Sequence, residues 1–231
     1  MIPLRIDELP PLGELDARAE VVTGVKVDSR RVEPADLFVA IGRGTGYLED
    51  ALARGAAATL VPQDPFAAMA ALGSLVRDRA SARVVGITGS TGKTSTKDIL
   101  AALCTPAART VAAEASFNNE IGVPLTLCRL EPDTEVCILE LAMRGFGQIA
   151  DLCRIARPEI GVVTNVGPAH LELVGSLGGT PEDTAEVLKF IASGDLTIAT
   201  QPIAFHDIPA GLEALERGEG AGRRFVADID H

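Results

Sequence analysis

The chain of 231 residues carries a formal net charge of −11 and is 47 % hydrophobic, yet only 3 % aromatic and without tryptophan. So acidic a chain lacks the basic face that a nucleic-acid backbone or an anionic membrane demands, and so few rings argue against stacking platforms for single strands. An anionic small molecule stays possible, because a local turn can hold phosphate inside an acidic protein.

The first eighty residues alternate short strands with helices. GVKVDSR and DLFVAI read as strands, separated by a turn at Pro34. YLEDALARGAA has helical spacing and ends near Gly55; ATLVP is a strand stopped by Pro62; PFAAMAALGSLVRDRA is a second helix. From Ala82 the pattern enlarges. RVVGIT is a buried strand, KTSTKDILAALC a helix, EVCILELAM a strand, GQIADLCRIA a helix closed by Pro158, and IGVVTNV a third strand. Near-continuous apolar runs separated by helices predict a parallel sheet covered on both faces. Ligands bind such sheets at the carboxyl ends of the strands. Beyond Ser176, TPEDTAEVLKFIASGDL reads as a helix, LTIATQPIAF as a strand, DIPAGLEALERGEG as a helix and RRFVADI as a strand.

The fold expected is therefore α/β: a small N-terminal α/β domain (1–81), a P-loop parallel-sheet domain (82–177) and an α/β tail (178–231). Cys104, Cys128, Cys137 and Cys153 stand far apart with no CxxC pair, a pattern of buried thiols rather than zinc ligands or disulfides. No run reaches membrane-span length, and the N-terminus MIPLRIDELPPLGELD has no apolar signal core. A soluble, cytoplasmic protein with neither a nucleic-acid nor a membrane partner is expected; oligomeric state is unreadable.

The segment TGSTGKTS, Thr88, Gly89, Ser90, Thr91, Gly92, Lys93, Thr94 and Ser95, joins a strand to a helix. Its small residues let backbone N–H groups converge on phosphate oxygens, and the helix directs its positive end at the same point. Lys93 can reach the β and γ phosphates, and the Thr94 hydroxyl can ligate Mg²⁺. The strict P-loop pattern wants glycine at position 87, where this chain has Ile87.

That departure resembles the ATP loop of the Mur ligase family, which reads T-G-[ST]-x-G-K-T-[ST]. SFNNEIGVPLTL (116–127), LELAMRGFGQIADLCRIARPEIGVVTNVGPAHLELVGS (139–176) and, upstream, VDSRRVEPADLFVAI (27–41) resemble further family segments in the family's order. The likeness spans residues 20–177 and is greatest to the branch that joins D-alanyl-D-alanine to UDP-N-acetylmuramoyl-tripeptide. It implies ATP and Mg²⁺ as cofactors, and a UDP-muramoyl peptide and D-alanyl-D-alanine as small-molecule substrates. In the reaction it implies, a substrate carboxylate takes the γ-phosphoryl group and an amine then displaces phosphate. It also implies Lys93, Glu140 and His170 as candidate catalytic residues, with Thr94, Glu140 and His170 near the metal. Asn118 and Asn119 would either contact adenine or the metal region or simply close a turn. Asp28, Ser29 and Arg30 would either approach the uridine diphosphate or form a plain turn.

Three departures accompany the likeness. GRGTGYLED stands where the family has an Asp-Gly-His segment. The family's carbamylated lysine would fall near Thr184, with Lys189 out of register. The tail is similar to the end of medium-chain zinc-type alcohol dehydrogenases rather than to the family's amine-binding domain. Amide formation by this chain alone is therefore not expected, and an ATP-binding chain without turnover is the alternative. An NAD(P) oxidoreductase is suggested by the tail alone and lacks the dinucleotide fingerprint.

Overall fold

The computed structural model describes residues 1–143, 147–165, 200–204 and 224–228. The chain divides into two compact units, Met1–Leu188 and Lys189–His231.

The first unit opens with β1 (Leu4–Arg5), β2 (Gly13–Ala17), β3 (Val21–Val22), β4 (Gly24–Lys26), β5 (Asp36–Val39) and β6 (Ala58–Pro62). β1 and β3 make a short antiparallel pair. The other four form a sheet of order β2-β6-β5-β4, parallel except for β2 at the edge. All four residues of β5 are buried, as its apolar run predicts, whereas every residue of β2 is exposed. β2 reads GELDA, and its acidic side chains suit an edge that must not pair with another chain. That lack of an apolar face is why periodicity missed it.

Helix α1 (Leu48–Ala53) precedes β6, and α2 (Pro65–Arg79) follows it. The Asp64 carboxylate accepts from the Phe66 and Ala67 amides at 2.9 and 3.1 Å, capping the start of α2, and Pro65 supplies the first turn. The face Ala68, Met69, Leu72, Gly73 and Val76 is buried, at the helical spacing the sequence shows.

The second sheet contains β7 (Arg83–Thr88), β8 (Thr110–Ala112), β9 (Val136–Glu140) and β10 (Ile160–Val163) in the order β10-β7-β9-β8, all parallel. Helix α3 (Lys93–Cys104) links β7 to β8, α4 (Gly122–Leu127) lies between β8 and β9, and α5 (Gln148–Ala156) links β9 to β10. From β7 the chain crosses beyond β9 to reach β8; from β9 it crosses back beyond β7 to reach β10. The carboxyl ends of β7 and β9 thus flank the point where strand order reverses, the place where such sheets take ligands.

One apolar core continues through both sheets. It includes Leu37 and Leu60 from the first, Leu72 and Val76 from α2, Val84 and Leu139 from the second, and Val123 and Leu127 from α4. Gly73 permits the close approach of α2 to α4, because a Cβ there would lie 2.9 Å from Pro124. The second unit contributes β11 (Thr200–Ala204) and β12 (Arg224–Asp228), paired in parallel. The strands expected at 196–205 and 223–229 coincide with these; the helices expected at 180–196 and 207–220 lie outside the described residues. Among the described residues, no helix is long and apolar enough to cross a membrane.

Two outcomes follow from this packing. Leu72→Ala empties a fully buried site and should cost about 2–5 kcal/mol of stability, whereas Leu103→Ala, at a position 70 % exposed, should change it by less than about 0.5 kcal/mol; urea unfolding of both variants checks this. Burial pushes the Cys128 and Cys137 thiols from 9.0 up to about 12. The folded state keeps these protons while the unfolded chain releases them above its ordinary thiol value, so stability is lost as pH rises through that window. The urea midpoint should fall between about pH 9 and 11, and both thiols should resist a thiol reagent in the native protein at neutral pH. Prompt native-state labelling would contradict the burial.

Candidate functional site

The site is assembled at the carboxyl edge of the second sheet. β7 ends at Thr88, and the chain turns through Gly89 (φ +132°) and Gly92 (φ +80°) into the first turn of α3. Residue 89 must be glycine for two reasons. Its φ is left-handed, and a Cβ would collide with the Thr164 hydroxyl and lie 2.8 Å from the backbone of Asn165.

The residues after β10 pin this loop. The Ser90 amide donates to the Asn165 carbonyl at 2.9 Å, and the Thr91 amide to the Asn165 side-chain oxygen at 2.9 Å. The Thr164 hydroxyl donates to the carbonyls of Thr91 and Thr88 at 2.5 and 3.2 Å. Sequence reasoning pointed to the polar residues after the third strand but did not single out Thr164 or Asn165. The Lys93 ammonium lies within the loop, donating to the Gly89 carbonyl at 2.6 Å.

Glu140, the last residue of β9, faces the loop and is only 2 % exposed. One carboxylate oxygen accepts from the Thr94 hydroxyl and the other from the Asn118 amide, both at 2.8 Å. The Asn118 carbonyl in turn accepts from the Ala142 amide at 2.9 Å. Three segments thus converge on one carboxylate: the start of α3, the loop after β8 and the end of β9. Asn119 is directed elsewhere. Its side-chain oxygen accepts from the Ile121 and Gly122 amides and closes the turn into α4.

Both partners of Glu140 are neutral, so these bonds satisfy its oxygens without supplying a positive charge. A hydroxyl and a buried carboxylate within 2.8 Å are hard oxygen donors of the kind Mg²⁺ takes. Among the described residues, no group of three or more His, Cys, Asp or Glu is placed to hold a metal ion. Magnesium takes one or two carboxylates and fills the rest of its shell with phosphate and water. His170, the other expected metal-associated residue, lies outside the described residues.

Asp28, Ser29 and Arg30 are brought together, but in a turn of their own. Asp28 caps a single 3-10 turn over Ser29–Arg31, accepting from the Arg30 amide at 3.0 Å, and both of its oxygens receive the Arg30 guanidinium at 2.9 and 2.7 Å. That pairing holds the Asp28 carboxyl down at about 2. Ser29 is buried, and its side-chain hydrogen bond holds the Asp50 carboxyl low. The next residue, Arg31, reaches Glu114 in the loop after β8 at 3.0 Å and lowers that carboxyl as well. GRGTGYLED, which replaces the expected Asp-Gly-His segment, forms a 3-10 turn over Gly42–Tyr47 and enters α1. A cavity of about 510 Å³ is lined by Thr105, Arg109, Glu131 and Glu135 among others. It lies at the amino ends of β8 and β9, on the edge opposite the glycine loop.

A family model described as the Mur ligase middle domain matches residues 87–212. The chain belongs to the Mur ligase family. The matched span covers the loop, Glu140 and the pinning residues, and it runs past residue 177, where the likeness read from the sequence ended. UDP-N-acetylmuramoyl-tripeptide–D-alanyl-D-alanine ligase of Synechocystis is 37 % identical over 186 residues, covering 72 % of this chain and 41 % of that protein. The Escherichia coli ligase of the same name is 35 % identical over 217 residues, covering 86 % and 48 %. The crystal structure of MurF ligase from Thermotoga maritima in complex with ADP superposes with a TM-score of 0.58 at 30 % identity, covering 88 % of this chain and 49 % of that one. The chain spans less than half the length of the curated relatives it matches. The tail's likeness to alcohol dehydrogenases gains no support from these matches.

The close approach at Gly89 has a measurable consequence. Gly89→Ala combines a left-handed φ with a collision against residues 164 and 165, and should cost about 2–5 kcal/mol, the sum of backbone strain and overpacking. Denaturant unfolding checks it; a wild-type midpoint would show that the loop does not lie against Asn165 in solution.

Proposed function

We propose that this chain carries the nucleotide-binding machinery of an ATP-dependent ligase that joins D-alanyl-D-alanine to UDP-N-acetylmuramoyl-tripeptide. The observation that carries the reading is the loop Thr88–Ser95 lying at the carboxyl edge of a parallel sheet, with Thr94 bonded to the buried Glu140, in a chain of the Mur ligase family.

In this reading the backbone amides of residues 92–95 and the Lys93 ammonium would hold the ATP phosphates, while the Ser90 and Thr91 amides keep the loop on Asn165. Charge on the phosphates would then be met by backbone donors already aimed at it and by one ammonium that has to change partner. Thr94 and Glu140, with His170, would hold Mg²⁺, which would offset negative charge on the phosphates. Lys93 leaves the Gly89 carbonyl to meet the phosphates. Asn118 orients Glu140, while Asn119 shapes the turn beside it. Asp28, Ser29 and Arg30 lie on the uridine diphosphate side, where Arg30 would have to exchange Asp28 for a diphosphate oxygen. Residues 1–81 serve the UDP substrate and 82–177 the nucleotide; no catalytic residue is assigned to 178–231. The relatives' substrates, a UDP-muramoyl peptide and D-alanyl-D-alanine, are the small molecules proposed here, and the cytoplasm, where ATP is available, the proposed location.

Calorimetry with ADP or ATP in the presence of Mg²⁺ tests the reading. Lys93→Ala removes a charge-assisted contact worth about 1.5–3 kcal/mol, so the Kd should rise roughly 10- to 150-fold. Equal affinity in both proteins would sink the assignment. In a turnover assay the chain alone should release ADP slowly and form no UDP-muramoyl-pentapeptide, because holding acyl phosphate and amine in near-attack geometry supplies about 7–11 kcal/mol. Lysine-dependent pentapeptide formation would overturn that expectation.

A further inference from the structure

We propose that Lys97 is a positioning residue for the carboxylate of this site: its buried ammonium fixes the loop after β8 and thereby holds Asn118 on Glu140. The role of that contact in ligand binding rests on the nucleotide reading above.

Lys97 lies one turn after Lys93 on α3 and is 2 % exposed. Lysine is almost never so buried unless its charge is met. Here the three ammonium protons have three acceptors: the Ala113 carbonyl, the Ala115 carbonyl and an oxygen of Asp98, each at 2.9 Å. Two of the three are backbone carbonyls of one short loop, and they lie on either side of Glu114. Ala115 has φ +45°, a left-handed conformation that alanine does not adopt without support. The ammonium clamps the chain across this unfavourable bend. Three residues further on is Asn118, whose side-chain amide donates to Glu140.

The alternatives at this position are weaker. Were Lys97 only an electrostatic partner of Asp98, burial would gain nothing, because the Asp98 side chain is 66 % exposed and the pair could form in solvent. The loop's other contacts are the Arg31–Glu114 and Arg129–Glu114 pairs, the Phe117 amide to the Glu114 carbonyl, the Arg129 guanidinium to the Ala112 carbonyl, the Ala113 amide to the Ile138 carbonyl and the Ala142 amide to the Asn118 carbonyl. These grip the two ends of the loop and Glu114, and none engages the carbonyl of Ala115, where the backbone is strained.

The first test needs no ligand. Hydrogen exchange in the nucleotide-free protein should rise at least tenfold at residues 114–119 in Lys97→Met, with β7 unchanged. The second reads ADP affinity by calorimetry with and without Mg²⁺. Lys97→Met should lose about tenfold of the affinity that Mg²⁺ adds while keeping the metal-free affinity. Asn118→Ala should show the same loss, and the double variant no further loss, because both changes release one contact. Lys97→Gln keeps two N–H donors but no charge, should show an intermediate loss, and replaces Lys97→Met if that variant does not fold. Unchanged exchange at 114–119, equal loss with and without Mg²⁺, or additive losses in the double variant would each overturn the proposal. If the wild-type chain binds no ADP, the nucleotide reading fails, and the exchange experiment still decides whether Lys97 holds the loop.

Discussion

The buried carboxylate of Glu140 is the constraint around which the candidate site is arranged. Taking an ionised group out of water costs several kcal/mol unless its oxygens are hydrogen-bonded, and here two donors from distant parts of the chain meet that demand. Meeting it fixes more than two bonds. The hydroxyl of Thr94 can reach Glu140 only if α3 starts where it does, and that requires the turn at Gly89 and Gly92. The amide of Asn118 can reach it only if the loop after β8 doubles back toward β9. The sheet order supplies the rest, since β7 and β9 are adjacent and Ile87 lies opposite Glu140 in register.

The first sheet is tied to this arrangement at Glu114. That side chain takes Arg31 from the turn beside Asp28 and Arg129 from the end of α4, while the carbonyls on either side of it take Lys97. Surface ion pairs contribute little individually, so this cluster matters less for stability than for placement. It brings the turn carrying Asp28, Ser29 and Arg30 to the same loop that carries Asn118. In the proposed ligase the uridine diphosphate side and the metal side therefore share one segment of backbone, and a change in either has a short physical route to the other.

Much of the second sheet was legible because its signals are local. Each of β7, β9 and β10 is an apolar run, and α3 and α5 begin at glycines whose left-handed φ allows the turn. The glycine loop was legible for the same reason. What the sequence hid are interactions set by tertiary approach. β2 has no buried face, so its pairing with β6 leaves no periodic trace. Thr164 and Asn165 look like ordinary residues at a strand end, and only the parallel pairing of β10 with β7 brings them under the loop. Lys97 sits in a helix where a lysine normally points to water, and nothing nearby in sequence announces that its ammonium will meet two carbonyls. Asn118 and Asn119 were indistinguishable as a pair; the structure separates them, one on Glu140 and one on the turn into α4.

The isoleucine at position 87, which breaks the strict P-loop pattern, also has a structural reason. Ile87 pairs with Glu140 on one side and Val162 on the other, and its side chain is fully buried with Val85 and Ile138. A glycine there would leave a hole of leucine size in the core beneath α3, at a cost of about 2–5 kcal/mol. β7 therefore continues through Thr88 before the chain turns, and the conformational freedom that a P-loop draws from its first glycine is supplied two residues later, at Gly89. The turn is correspondingly shorter and tighter. It has room against the strand beside it only because residue 89 has no side chain, and it is held there by Thr164 and Asn165 rather than by its own length. The departure from the general phosphate-loop pattern and the dependence on β10 are two sides of one packing solution.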